Sequence, residues 1–202
     1  MTYHLIITTH IYTTEVDVKQ NIRKYLDESE IKSMIESIPK SLNAWRDRCM
    51  ISMCFIHGLR ASELSGMTLD NIELDAKRIY IPRLKNGLSV QHPLHDDEIA
   101  MLSGWLEIRK SWRYADLPWL FLSRKGGRIS RQQIYRLIRH YGKNANIKIP
   151  THPHMLRHAC GYCLANQGID TRLIQDYLGH RNIHHTVLYT ASNAMRFQAI
   201  EF

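Results

Sequence analysis

The 202-residue sequence contains no apolar run approaching the roughly 20 residues needed to span a bilayer. Its first stretch, MTYHLIITTHIYTTEV, lacks a basic n-region, an uninterrupted apolar run and a small-residue cleavage site, so it does not read as a signal peptide. Four cysteines, Cys49, Cys54, Cys160 and Cys163, are too few and too embedded in apolar runs for a disulfide framework, and reduced thiols fit better. No repeat, low-complexity tract or linker interrupts the chain. These absences predict one compact, soluble domain that stays in the cytoplasm.

Several chemistries are missing their motifs as well. No G-x-S-x-G elbow is present, and Lys125-Gly126-Gly127 lacks the spacing of a Walker loop, which argues against an activated serine and against nucleotide-driven work. His154 and His158 stand four apart like half a zinc site, but Met155 occupies the place where a zincin carries Glu. Cys160-Gly161-Tyr162-Cys163 has no second pair, so those cysteines read as small core residues.

What is present is positive charge. Lys and Arg outnumber Asp and Glu by 27 to 19, a formal +8, with 12 histidines in reserve below neutral pH. Such an excess favours a polyanionic partner. Hydrophobic content of 44% and charged content of 23% are those of an ordinary globular chain.

The pattern is mainly helical. Asp27 and Glu30 form a capping box ahead of Ile31, Met34, Ile35 and Ile38, and Pro39 ends that helix. A second helix is expected over 42–57, with Trp45, Cys49, Met53 and Ile56 on one side, and a short one over 61–66. Residues 78–82 and 88–93 are β-prone runs flanking Asn86-Gly87, which predicts a hairpin with Lys85 at or beside its tip. Further helices are expected over 96–112, 130–144, 153–166 and 170–177, with part of 183–202 helical. The loop SRKGGRISRQQ and the helix after it expose Lys125, Arg128, Arg131, Arg136 and Arg139, candidate phosphate contacts for which a plain solvated face is the alternative.

Thr151 to Thr190 holds the residues best suited to a phosphodiester. His154 and Arg157 are neighbours on one helical face, His180 follows a Leu-Gly pair, and Tyr189 comes nine residues later. Arginines can hold non-bridging oxygens, imidazoles can move protons, and a phenol can serve as nucleophile if its proton is taken. Each residue has a bland reading too: Arg60 pairs with Glu63, His154 caps its helix, Tyr189 packs in the core.

The motifs HGLRASEL, H-x-x-R in HPHMLRH, LGH and the tyrosine that follows resemble, in order and spacing, the catalytic domain of the tyrosine recombinases, the phage-integrase family. THPHMLRHACGY and DTRLIQDYLGHRNI look closest to the short members that invert fimbrial promoter segments. The resemblance implies a mainly α-helical domain with a small antiparallel β-sheet over 25–202. Residues 1–24 are an arm of no assigned role, in place of the separate N-terminal domain most members carry. It implies that Arg60 and Arg157 clamp the phosphate, that Tyr189 forms a 3′-phosphotyrosyl bond, and that Lys85 protonates the 5′-oxygen. It also implies that His154 accepts the tyrosyl proton, that His180 donates to the phosphate, and that Glu63 orients the first arginine. No metal or other cofactor is needed. The implied partners are double-stranded DNA with inverted repeats, three further copies in a homotetramer, and DNA-bending accessory proteins on the nucleoid. Type IB topoisomerase-like relaxation and non-catalytic DNA binding are the alternative functions.

Overall fold

The computed structural model describes residues 23–84 and 87–191, the side chains of Leu42 and Asn43 excepted. The arm, the tail from Ser192, Lys85 and Asn86 lie outside the described residues, so the expected placement of Lys85 at a hairpin tip lies outside them too.

Helix α1, Glu28–Glu36, starts on the expected box: the Asp27 side chain accepts from Glu30 N while Glu30 accepts from Asp27 N. Two orphan amides are thereby satisfied reciprocally. Helix α2, Leu42–Ile56, differs from expectation. Cys49 and Met53 are buried as predicted, but so are Ala44, Met50, Ile51 and Cys54, while Trp45 and Ile56 lie at the margin. A helix buried nearly all round has no single apolar stripe, and α2 is the axis on which the others pack.

Helix α3, Ala61–Gly66, and a 3-10 turn, Leu69–Asn71, lead into a three-stranded antiparallel sheet of β1, Ile72–Glu73, β2, Arg78–Ile81, and β3, Val90–Pro93, in that order. The β2–β3 register pairs Ile79 with His92 and Ile81 with Val90. Two-residue β1 gave no alternation long enough to be read from sequence. Helix α4, Asp96–Lys110, packs on α2 and presents Trp105, whose indole donates to Leu120 O. Its Arg109 gathers the carbonyls of Ala115, Leu117 and Trp119, which fixes the loop that feeds Leu120 to Leu122 into the core. Among the described residues the chain is thus mainly α with one small antiparallel sheet.

Helix α5, Arg131–Asn144, buries Ile134, Ile138 and Tyr141, and the Tyr141 hydroxyl donates to Asp47 Oδ2 at 2.8 Å. Helix α6, Pro153–Asn166, has Pro at its first position and His152 as cap. Helix α7, Thr171–Leu178, is capped by Asp170, and α8 is His184–Ala191.

The junction before α6 is tight. A Cβ on Gly142 would sit 2.1 Å from Thr151 Oγ1, the hydroxyl that donates to Ile138 O. Glycine to alanine inside an exposed helix ordinarily stabilises by about 0.5–1 kcal/mol. At position 142 the sign should reverse: Gly142→Ala is expected to destabilise by about 1–3 kcal/mol in denaturant unfolding, because buried Thr151 must move.

Candidate active site

The site is built where two helices end. Helix α2 closes at Gly58 in the left-handed region, φ +57, and a Cβ there would lie 2.4 Å from Leu178 Cδ2. Only glycine lets the two chain ends approach so closely. Helix α7 ends at Gly179, φ +63, with Gly179 N donating to Asp176 O and His180 N to Gln175 O. This Schellman arrangement turns the chain and delivers His180.

The last carbonyls of both helices would otherwise be orphaned. Ile56 O accepts from the Tyr177 hydroxyl and the Cys160 thiol. His57 O accepts from Arg83, and Gly58 O from Arg157 and Arg83. Across the gap, Tyr177 O accepts from Arg83 at 2.8 Å and Leu178 O from Arg157 at 2.7 Å. Two guanidiniums thus bridge two helix C-termini, the ends where cations are favoured.

Glu63 is the counter-charge. Its side chain is fully buried in α3: Oε1 lies 2.6 Å from Arg60 Nη1, and Oε2 lies 2.9 Å from Arg83 Nη1 and accepts from Arg60 N. Arg157 Nη1 stands 4.0 Å from Oε2. Burial opposes ionisation of Glu63, but Arg83, the Arg60 amide and Arg157 hold its pKa below the usual carboxylate range. Burial, reinforced by Arg60 and Arg83, lowers that of Arg157. Three cations on one carboxylate leave net positive charge facing a cavity of about 730 Å³ lined by Arg60, Arg172, His180, Arg181 and His185. Gly87, two residues beyond Lys85, lines the same cavity.

Tyr189 is docked and only 1% exposed. Its ring lies where a Cβ on Gly161 would stand, 2.6 Å from Cε2, so the glycine of the Cys-x-x-Cys run is the seat of the phenol. The hydroxyl is 2.9 Å from His158 Nδ1. His154, expected to take this proton, is exposed on the preceding turn, its ring edge-on to His158 at 4.5 Å. The difference of four residues, one helical turn, decides which imidazole reaches the phenol. Burial, with His154 next, pushes His158 down to about 4, and burial pushes Tyr189 up to about 12, so both partners of this hydrogen bond are neutral. His180 Nδ1 is 2.9 Å from Thr186 Oγ1, and burial and Arg157 lower its pKa to about 3.

Sequence reasoning therefore names Arg60, Glu63, Arg157, His180 and Tyr189, and the structure brings these together. It passed over His158, Arg83 and Thr186. His158 carried a signal in its place beside Arg157, whereas nothing local marks Arg83 as buried. Lys125, Arg128, Arg131, Arg136 and Arg139 are all exposed, and so is His185.

Behind the arginines runs a second buried chain. His92 Nε2 must donate to Tyr177 O, so its Nδ1 accepts from His57 Nδ1, 3.2 Å away. His57 Nε2 then meets Glu98 Oε1 at 2.9 Å and needs a proton between them. Burial opposes ionisation of Glu98, but the hydrogen bond and charge of His57 hold its carboxyl below the usual range.

Arginines gathered on a buried carboxylate stand beside a phenol seated on an imidazole, an arrangement suited to holding a phosphodiester. Comparison gives the family. The sequence pattern of the phage integrase family matches residues 24–196, and the chain belongs to that family as a tyrosine site-specific recombinase. It is 54% identical over 178 residues to the type 1 fimbriae regulatory protein FimB of Escherichia coli (strain K12), covering 88% of this chain and 89% of that protein. It is 50% identical to FimE of the same organism over 179 residues, covering 88% and 90%. The crystal structure of XerA recombinase superposes with a TM-score of 0.75 at 29% identity, over 86% of this chain and 62% of that one.

Buried neutral histidines make the fold acid-sensitive. With His180 and His92 both pushed to about 3 in the folded chain, against about 6.5 when unfolded, the unfolded state binds more protons below pH 6.5. Stability should be full above that pH and fall as pH drops toward 3. Between pH 7.5 and 5.0, His180 alone should account for on the order of 2 kcal/mol. Thermal unfolding is expected to show a lower Tm at pH 5.0 and a shallower pH slope in His180→Asn.

Proposed function

We propose that this recombinase inverts a fimbrial promoter segment by cutting and rejoining DNA at paired inverted repeats. The observation that carries the reading is the placement of buried Tyr189 beside the three-arginine cluster on Glu63, in a chain about half identical to two fimbrial regulatory proteins.

In this reading Arg60 and Arg157 hold the non-bridging oxygens of the scissile phosphate, and His180 donates to one of them. The Tyr189 oxygen attacks phosphorus, the bond to O5′ breaks, and Lys85 returns a proton to that oxygen. The product is a 3′-phosphotyrosyl link and a free 5′-hydroxyl, which attacks the equivalent link on the partner duplex. The bond count is unchanged, so no ATP, metal or other cofactor is required.

The phenol proton leaves through the His154–His158 pair. At about 12 and about 4, the Tyr189 and His158 pKa values lie too far apart for transfer at rest. An incoming phosphate brings negative charge that raises the proton affinity of the imidazoles while the arginines absorb the charge of the transition state.

Lys125, Arg128, Arg131, Arg136 and Arg139 contact DNA phosphates, and the active assembly is a homotetramer on two sites, assisted by DNA-bending proteins. The protein works in the cytoplasm on the nucleoid. No helix among the described residues is long and apolar enough to cross a membrane.

The test is a supercoiled plasmid carrying a fimbrial promoter segment between its inverted repeats. Wild-type protein is expected to invert the segment, whereas Tyr189→Phe binds the DNA and yields no inversion above background. Relaxation without inversion would instead support topoisomerase-like activity, and inversion that survives in Tyr189→Phe would refute the assigned nucleophile.

A further inference from the structure

Arg83 is a buried cation of the site that has no part in the proposed reaction. It follows Pro82 at the end of β2, and its side chain is fully buried. Nη1 donates to Glu63 Oε2 at 2.9 Å and Nη2 to Tyr177 O at 2.8 Å, with longer bonds to Gly58 O and His57 O. The neighbourhood is cut to its stem: a Cβ on Gly179 would lie 2.7 Å from Arg83 Cγ, and one on Gly87 2.9 Å from Arg83 Cβ. Arg83 does not line the cavity that Arg60 and His180 line. Both of its terminal nitrogens are taken up by Glu63 and by the carbonyls of His57, Gly58 and Tyr177, so it acts on the phosphate through Glu63.

We propose that Arg83 is a positioning residue for strand cleavage, neutralising one oxygen of Glu63 so that Arg60 and Arg157 keep their positive charge for the scissile phosphate. The assignment rests on the recombinase reading. A carboxylate held by Arg60 and Arg157 alone would leave a single net positive charge for a phosphodiester whose transition state carries more than one negative charge. Its second oxygen would also draw in Arg157, now 4.0 Å away, and pull it off the carbonyls of Gly58 and Leu178. With Arg83 on that oxygen, Arg157 stays on the two helix ends and the cluster carries two net charges. The alternative is that Arg83 is only a staple between β2 and the helix C-termini.

Charge separates the two. Single-turnover cleavage of a nicked suicide duplex is measured for wild type, Arg83→Lys and Arg83→Gln. Each is compared on a normal phosphodiester and on a duplex whose scissile phosphate is a methylphosphonate. The methyl group removes the negative charge that the clamp serves and leaves nucleophile and leaving group unchanged. On the phosphodiester, Arg83→Gln is expected to cleave about 100-fold slower and Arg83→Lys about 10-fold slower, the ammonium still facing Glu63. DNA affinity should stay within about threefold of wild type, since Arg83 does not reach the DNA. On the methylphosphonate both variants are expected within about threefold of the wild-type rate on that substrate.

Equal losses on both substrates, or no loss on the phosphodiester, overturn the assignment. Thermal unfolding reports whether each variant folds, and Arg83→Lys decides the matter if Arg83→Gln does not. A wild-type protein that forms no covalent adduct sinks the recombinase reading and this assignment with it. A competent wild type with equal variant losses sinks only the latter.

Discussion

The carboxylate of Glu63 is the constraint on which the site depends. Buried beside three guanidiniums, it allows like charges to be packed where two helices end, and those charges in turn satisfy carbonyls that the helices cannot. Remove the anion and Arg83 and Arg157 would repel across a low-dielectric gap; remove the arginines and four carbonyls at the ends of α2 and α7, those of His57, Gly58, Tyr177 and Leu178, would lose donors. The charge cluster and the fold are one structure, because α2 is the axis of the core and α7 carries the turn that delivers His180.

The nucleophile is held by the same geometry from the other side. Helix α6 donates Arg157 to the helix ends and, one residue on, His158 to the Tyr189 hydroxyl, while Gly161 opens the surface that receives the ring. The phenol is buried, protonated and hydrogen-bonded, which keeps its oxygen from water. Arg60, 28% exposed along its side chain, is the cation of the cluster that faces the cavity, and a phosphate entering there meets it first.

Much of this was legible in the sequence, for identifiable reasons. The capping box at Asp27 and the helices from α4 to α7 follow local rules of period and capping that tertiary packing did not override. The motif residues Arg60, Glu63, Arg157, His180 and Tyr189 were found because spacing is preserved in sequence even when the parts lie far apart. What escaped was set by packing. Helix α2 was read as one-sided because its composition does not show that neighbours cover every face. His158 escaped as the partner of the phenol because a hydrogen bond to a residue 31 positions away has no local signature. Arg83 looks like any basic residue before a turn until the carbonyls of His57 and Tyr177 are placed around it.

The central claim is that Tyr189 becomes covalently joined to DNA. Trypsin cuts after Arg181 and Arg196, releasing a peptide in which Tyr189 is the single tyrosine. Protein trapped on a suicide substrate should yield that peptide heavier by a 3′-phosphorylated nucleotide remnant, with fragmentation placing the mass on Tyr189 and a 5′-hydroxyl on the released strand. The adduct on Tyr162, Tyr177 or any other residue, or a 5′-phosphate on the released strand, would contradict the account.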